Sequence, residues 1–169
     1  VWDLVELPNG VKPVGCKWVF KTKLDPNGNV ERYKARLVAK GYTQKEGIDY
    51  QETFSPVSRK DSLRIVMALV AHFDLELHQM DVKTAFLNGD LDEHVYMKQP
   101  EGFIPKGKEH LVCKLKKSIY GLKQASRQWY LKFDDVMKNQ GFAKNQVDQC
   151  TYLKMSGSNF TIIVLYVDD

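Results

Sequence analysis

Residues 160–167 run as FTIIVLYV and then stop on two adjacent aspartates, Asp168 and Asp169. An apolar stretch of this length, rich in β-branched and aromatic residues, reads as a strand. A second alternating stretch, residues 75–81 (LELHQMD), also reads as a strand and ends on Asp81. A lone aspartate at a strand end is ordinarily a turn residue. Carboxylates at the ends of neighbouring strands can instead converge on divalent ions, because magnesium takes oxygen ligands and keeps water or phosphate in its remaining positions. A pair of such ions about 3.5–4 Å apart activates an attacking hydroxyl and stabilises a leaving phosphate oxygen. Asp81, Asp168 and Asp169 are therefore candidate metal-holding, catalytic carboxylates.

The other elements follow from period and punctuation. Residues 16–24 (CKWVFKTKL) and 30–40 (VERYKARLVAK) flank Asp25-Pro26-Asn27-Gly28, which predicts a β-hairpin over 16–40. Residues 59–73 predict a helix with Leu63, Val66, Met67, Val70 and Phe73 on one face, capped by Ser58 or Asp61. A short helical turn closes at Asn88-Gly89, and residues 94–98 read as a strand. A second helix is predicted over 125–140, with Trp129, Phe133, Val136 and Met137 inward and Gly141 as its stop. Residues 150–154 and 160–167 read as strands joined by Ser156-Gly157-Ser158-Asn159. Helices and strands mix without regular alternation, which favours an α+β fold.

Composition excludes some classes. Hydrophobic residues are 43% and charged residues 27% of 169, the balance of a folded chain rather than a disordered one. Ile162–Val167, the longest unbroken apolar run, is far too short to span a bilayer, so no membrane partner is expected. Cys16, Cys113 and Cys150 lack zinc-ligand spacing and read as reduced thiols, and His72, His78, His94 and His110 form no ligand pattern. Net charge alternates along the chain, from +4 over residues 1–60 to −5 over 61–103, +7 over 104–145 and −2 over 146–169. Basic segments that hold a polyanion, beside acidic ones that hold a metal, would produce this pattern; so would a solvated surface.

Six blocks resolve the ambiguity. Trp18-Val19-Phe20-Lys21, residues 33–41 (YKARLVAKG), Phe54-Ser55-Pro56-Val57, residues 80–89 (MDVKTAFLNG), residues 120–125 (YGLKQA) and Tyr166-Val167-Asp168-Asp169 resemble the motifs of copia-type retrotransposon reverse transcriptases. They stand in that family's order and spacing over essentially the whole chain. The resemblance implies a right-hand polymerase, with fingers over residues 1–74 and palm over 75–169. Residues 88–118 would be a fingers insertion. The implied activity is RNA-directed DNA synthesis with dNTPs on an RNA template and a DNA primer. Two Mg2+ ions, with Mn2+ as a substitute, would be held by Asp81, Asp168 and Asp169, with the Val82 carbonyl as a further ligand.

The resemblance also distributes roles. Phe86, five residues after Asp81, matches the steric gate, where a bulky ring leaves a ribose 2′-OH neither room nor partner. Lys21 and Lys23 share one strand face, as do Lys34 and Arg36, and in the family a basic hairpin closes over the triphosphate. Lys23 and Arg36 are the first choices for phosphate contact, with Lys21 and Lys34 as alternates because the register is open by one basic residue on each strand. Gln124 is expected to hydrogen-bond near the nucleotide, Lys123 and Arg127 to meet phosphate, and Tyr166 to pack near the primer end. Trp129 reads as core.

The apolar strand ends without a following partner, which predicts a piece truncated at the catalytic turn. Thumb and ribonuclease H would then be missing, and the piece alone would polymerise little. The family further implies a parent polyprotein with protease, integrase and ribonuclease H, working in cytoplasmic virus-like particles before nuclear entry of the product. Two other readings stay open from sequence: a catalytically dead relic that still binds nucleic acid, and a metal-dependent nuclease.

Overall fold

A computed structural model describes residues 1–167, so Asp168 and Asp169 lie outside the described residues. The chain mixes short sheets and helices. Strand β1 (Trp2–Val5) is followed by β2 (Cys16–Leu24) and β3 (Val30–Ala39), and then by α1 (Lys60–Phe73) and α2 (Ala85–Asn88). Next come β4 (Tyr96–Met97), β5 (Val112–Leu115), α3 (Ala125–Asn139), β6 (Ala143–Lys144), β7 (Thr151–Ser156) and β8 (Asn159–Val164). The sheets are β1-β5-β4, the hairpin β2-β3, and β6-β7-β8.

The hairpin forms where the turn chemistry put it. Asp25 Oδ1 accepts from the backbone N–H of Asn27 and Asn29 at 2.9 and 2.8 Å, and Gly28 takes φ +86°. These bonds hold the Asp25 carboxyl below its ordinary value, the one from Asn29 foremost. Antiparallel pairing runs from Cys16–Ala39 to Lys23–Arg32, with a bulge between Lys23 and Leu24. Its root is fixed to the rest of the chain: Ala39 N–H donates to the Tyr120 carbonyl and Lys40 N–H to that of Gly15, both at 2.7 Å. A Cβ on Gly41 would collide with the Gly121 carbonyl oxygen, and one on Gly121 with that of Ala39. Only glycine permits this approach, and Gly121 also takes φ +92°.

Two cores organise the remainder. One gathers Val14, Ala39, Val95, Met97, Cys113, Leu115, Ile119, Leu122 and Ala125 under the β1-β5-β4 sheet and the hairpin root. The other packs Ala85, Trp129, Tyr130, Cys150 and Leu165 between α2, α3 and the β7–β8 hairpin. Asp148, buried, accepts from Ser58 Oγ at 3.1 Å and from the N–H groups of Arg59 and Cys150 at 2.9 Å, tying the start of α1 to β7. Burial pushes its carboxyl up, but these bonds and one from Ser62 outweigh that and leave it lowered. All three cysteines are free, and burial pushes Cys113 and Cys150 to about 11, so both stay thiols.

Several expectations need correction. Residues 75–81 form no strand: alternation supplies a face, but a strand also needs a neighbouring edge, and among the described residues none pairs with this segment. Helix α1 buries no residue; Leu63, Val66 and Val70 are half-buried, whereas Phe73 is 60% exposed and Met67 is exposed too. Its N-cap is Arg59, whose side chain has only donors and makes no cap bond, while the Ser58 hydroxyl donates to Asp148 instead. On α3 Trp129 is buried and Phe133 packs against the second core as expected, but Ala125, Gln128, Tyr130 and Asp134 are buried too, Met137 is half-buried and Val136 is exposed. The Phe160 strand ends its ladder at Val164, after which Leu165 N–H donates once more, to the Cys150 carbonyl at 2.8 Å. No helix among the described residues is long and apolar enough to cross a membrane.

Candidate active site

Directly opposed residues of an antiparallel pair share a face. The register therefore places Lys17, Lys21, Lys23, Arg32, Lys34 and Arg36 together, with Lys21 opposite Lys34 and Lys23 opposite Arg32. Among the described residues, none of these six forms an ion pair. Uncompensated like charges, directly opposed, repel one another and favour an anion as counter-ligand. The other face carries Trp18 and Phe20, stacked at 6.3 Å, with Phe103 tilted against Trp18 at 5.3 Å. All four hairpin residues singled out from sequence thus lie on one surface. Arg32 completes it; its parity with Lys34 and Arg36 was a signal available in the sequence.

The basic face leads inward. The Arg36 guanidinium sits 5.6 Å from the centre of the Tyr120 ring, and that ring stands 4.7 Å from the Phe86 ring, tilted by 53°. Phe86 stands in the short helix α2 and packs against both cores. Asp81 is exposed in the segment before α2, while its neighbour Val82 packs against the second core. That core contains Leu165, three positions before Asp168, so the chain around Asp81 and the chain leading to Asp168 rest on one cluster. Tyr166 is 39% exposed. Val167 takes φ +62°, a left-handed conformation that costs a β-branched residue about 1–2 kcal/mol. Its carbonyl accepts from the Trp129 indole at 2.6 Å. Trp129 is buried, as read, and this second role had no signature in the sequence.

Gln124 stands differently from its expected role. It is 0% exposed, its Oε1 accepts from Gln44 Nε2 at 3.1 Å, and its Nε2 donates to the Asp49 carbonyl at 3.1 Å. Gln44 in turn accepts the Lys123 N–H at 2.8 Å. The Gln124 amide thus clamps residues 44–49 to the start of α3, and both ends of it are taken by protein. The Arg127 guanidinium donates to the Phe54 carbonyl at 2.9 Å, holding the 53–57 segment against α3. Lys123 is exposed.

A cavity of about 320 Å³ lies beside the Val167 turn, lined by Phe54, Pro56, Val57, Trp129, Leu165 and Val167 among others. Among the described residues no group of three His, Cys, Asp or Glu is placed to hold a metal ion. Asp81 makes no ion pair among those residues, and its partners by sequence, Asp168 and Asp169, lie outside them.

The basic hairpin face thus leads through the Arg36, Tyr120 and Phe86 contacts to the segment that carries Asp81. The family described as Reverse transcriptase (RNA-dependent DNA polymerase) matches residues 1–169. The chain is 59% identical over 169 residues to the Retrovirus-related Pol polyprotein from transposon TNT 1-94 of Nicotiana tabacum, covering 99% of this chain and 13% of that protein. It is 46% identical to the Pol polyprotein from transposon RE1 of Arabidopsis thaliana, covering 99% of this chain and 12% of that protein. The Ty1-H Gag-Pol polyprotein of Saccharomyces cerevisiae is 27% identical over 162 residues, 92% of this chain and 8% of the polyprotein. No solved structure matches. The chain belongs to the reverse transcriptase family, as a domain of the copia-type Pol polyprotein kind.

Proposed function

We propose that this chain supplies the fingers and palm of an RNA-directed DNA polymerase that extends a DNA primer on an RNA template. Residues 1–74 act as fingers and 75–169 as palm. Residues 88–118 belong with the fingers as an insertion, a division supported by the pairing of β4 and β5 with β1 rather than with β7–β8. The observation that carries the polymerase reading is the continuous path from the basic hairpin face through Arg36 and Tyr120 to Phe86. An incoming dNTP lays its triphosphate on Lys21, Lys23, Lys34 and Arg36 and turns its sugar toward Phe86. The ring excludes a 2′-OH by bulk and by offering no hydrogen-bond partner.

Asp81, Asp168 and Asp169, with the Val82 carbonyl, are the residues that would hold two Mg2+ ions, for which Mn2+ can substitute. A donor set of carboxylates and a carbonyl suits these hard cations, and the exposed Asp81 carboxylate is open to one. When bound, the ions supply activation of the primer 3′ hydroxyl and neutralise charge on the departing pyrophosphate. The chain's own share is positioning: Trp129 fixes the backbone before Asp168, and the hairpin fixes the triphosphate. Tyr166 faces the primer end, while Lys123 and Arg127 flank the template–primer phosphates. Gln124 acts through the clamp it makes rather than by direct contact. The domain works within a parent polyprotein beside protease, integrase and ribonuclease H activities, inside cytoplasmic particles.

The test is extension of oligo(dT) on poly(rA) by the protein that carries this chain. Incorporation of dTTP should require Mg2+ and should vanish in Asp81→Asn and in Asp168→Asn. Incorporation that survives Asp168→Asn would overturn the assignment.

A further inference from the structure

Tyr120 has no part in the mechanism so far, yet it touches both ends of the nucleotide path. Its half-buried ring meets both the Arg36 guanidinium, 5.6 Å from its centre, and the Phe86 ring at 4.7 Å. Its backbone is anchored independently, since its carbonyl accepts the Ala39 N–H at 2.7 Å and the adjoining Gly121 abuts Ala39 and Gly41. Phe86, by contrast, sits in a helix of 4 residues that begins after Thr84, itself at φ +54°. A ring on so short an element draws its orientation from its neighbours, here the two cores and the Tyr120 ring.

We infer that Tyr120 is a positioning residue for sugar selection, backing the Phe86 ring so that it cannot recede from a ribose 2′-OH. Steric exclusion works only if the excluding atoms cannot yield, and tilted aromatic pairs hold one another in a preferred offset. The Arg36 charge over the Tyr120 ring holds that ring in turn. The triphosphate-binding face and the sugar-reading ring thereby share one support. This inference rests on the polymerase reading and on Phe86 as the excluding ring.

The test compares kcat/KM for dTTP with that for its ribo counterpart on poly(rA)/oligo(dT), in the protein that carries this chain. Tyr120→Leu should lower the deoxy-over-ribo preference by about tenfold, chiefly through a lower KM for the ribonucleotide. Tyr120→Phe, which keeps the ring, should hold the preference near that of the parent. In a Phe86→Val background, where preference is already lost, Tyr120→Leu should lower it no further. Should Tyr120→Leu fail to fold, Tyr120→Met, of similar reach but without a ring, carries the same expectation. A relaxed Phe86→Val beside an unchanged Tyr120→Leu overturns the inference and leaves the gate standing. An unchanged Phe86→Val overturns the gate and the inference together. Equal losses with both nucleotides in Tyr120→Leu would reduce Tyr120 to a packing residue and overturn the inference as well.

Discussion

The indole N–H of Trp129 donates to the Val167 carbonyl at 2.6 Å, joining helix α3 to the residue that precedes Asp168. Val167, a β-branched residue in a left-handed conformation, receives that bond at the turn. Trp129→Phe keeps an aromatic ring beside Phe133 and loses the donor. We expect a loss of about 1–3 kcal/mol in urea unfolding, from the unmade hydrogen bond and the smaller ring. Polymerase kcat should fall while KM for dTTP changes little. An unaltered kcat would show that the turn keeps its shape without the indole.

Lys21 and Lys34 are direct cross-strand partners. Like charges so placed weaken the bare hairpin, whereas an opposite-charge pair contributes roughly 0.2–1 kcal/mol. Lys34→Glu should therefore raise the melting temperature of the unliganded protein while raising KM for dTTP. Tighter dTTP binding in this variant would remove the hairpin from the triphosphate site.

Asp134 is 5% exposed, accepts from the Tyr152 hydroxyl at 2.9 Å, and pairs with Lys138 at 2.6 Å and Lys144 at 3.0 Å. Burial pushes its carboxyl up, but the Lys138, Lys144 and Tyr152 hydrogen bonds outweigh this and leave it lowered. The same site raises Tyr152, first through burial and then through its bond to Asp134. A carboxyl lowered by folding contributes stability above its unfolded value, near pH 4, and loses it as pH falls through the folded value. Asp134→Asn should cost about 1–3 kcal/mol at pH 7. The gap between the two proteins should narrow in urea titrations carried below about pH 4. A gap that stays constant with pH would mean the charge of Asp134 contributes nothing.

Gly41→Ala should be far more harmful than Tyr42→Ala at its exposed neighbour, because the added methyl would collide with the Gly121 carbonyl, which is backbone and cannot swing aside. A loss of about 2–4 kcal/mol is expected, with faster exchange of the Ala39 amide. Protection of that amide equal to the parent's would show that the root tolerates the methyl.

The hairpin was legible because its information is local: Asp25-Pro26-Asn27-Gly28 sets the turn, and the turn sets the register. Helix α3 was legible from its period and its Gly141 stop, at φ +78°. The 75–81 segment was misread because alternation says nothing about whether an edge is there to pair with. Gln124 looked like a ligand group because an amide at a helix start is usually accessible; its partner Gln44 lies 80 residues away, and no local pattern announces it. Tyr120 escaped for the same reason, since its contacts come from the hairpin and from α2. The motifs identified the family, but the supports behind them are long-range and appear only in three dimensions.

Backbone meets backbone at Gly41 and Gly121, with no room for a methyl at either. The root of the hairpin is therefore seated directly on the chain that carries Tyr120, and the irregular step in its ladder lies at the far end, at Lys23 and Leu24.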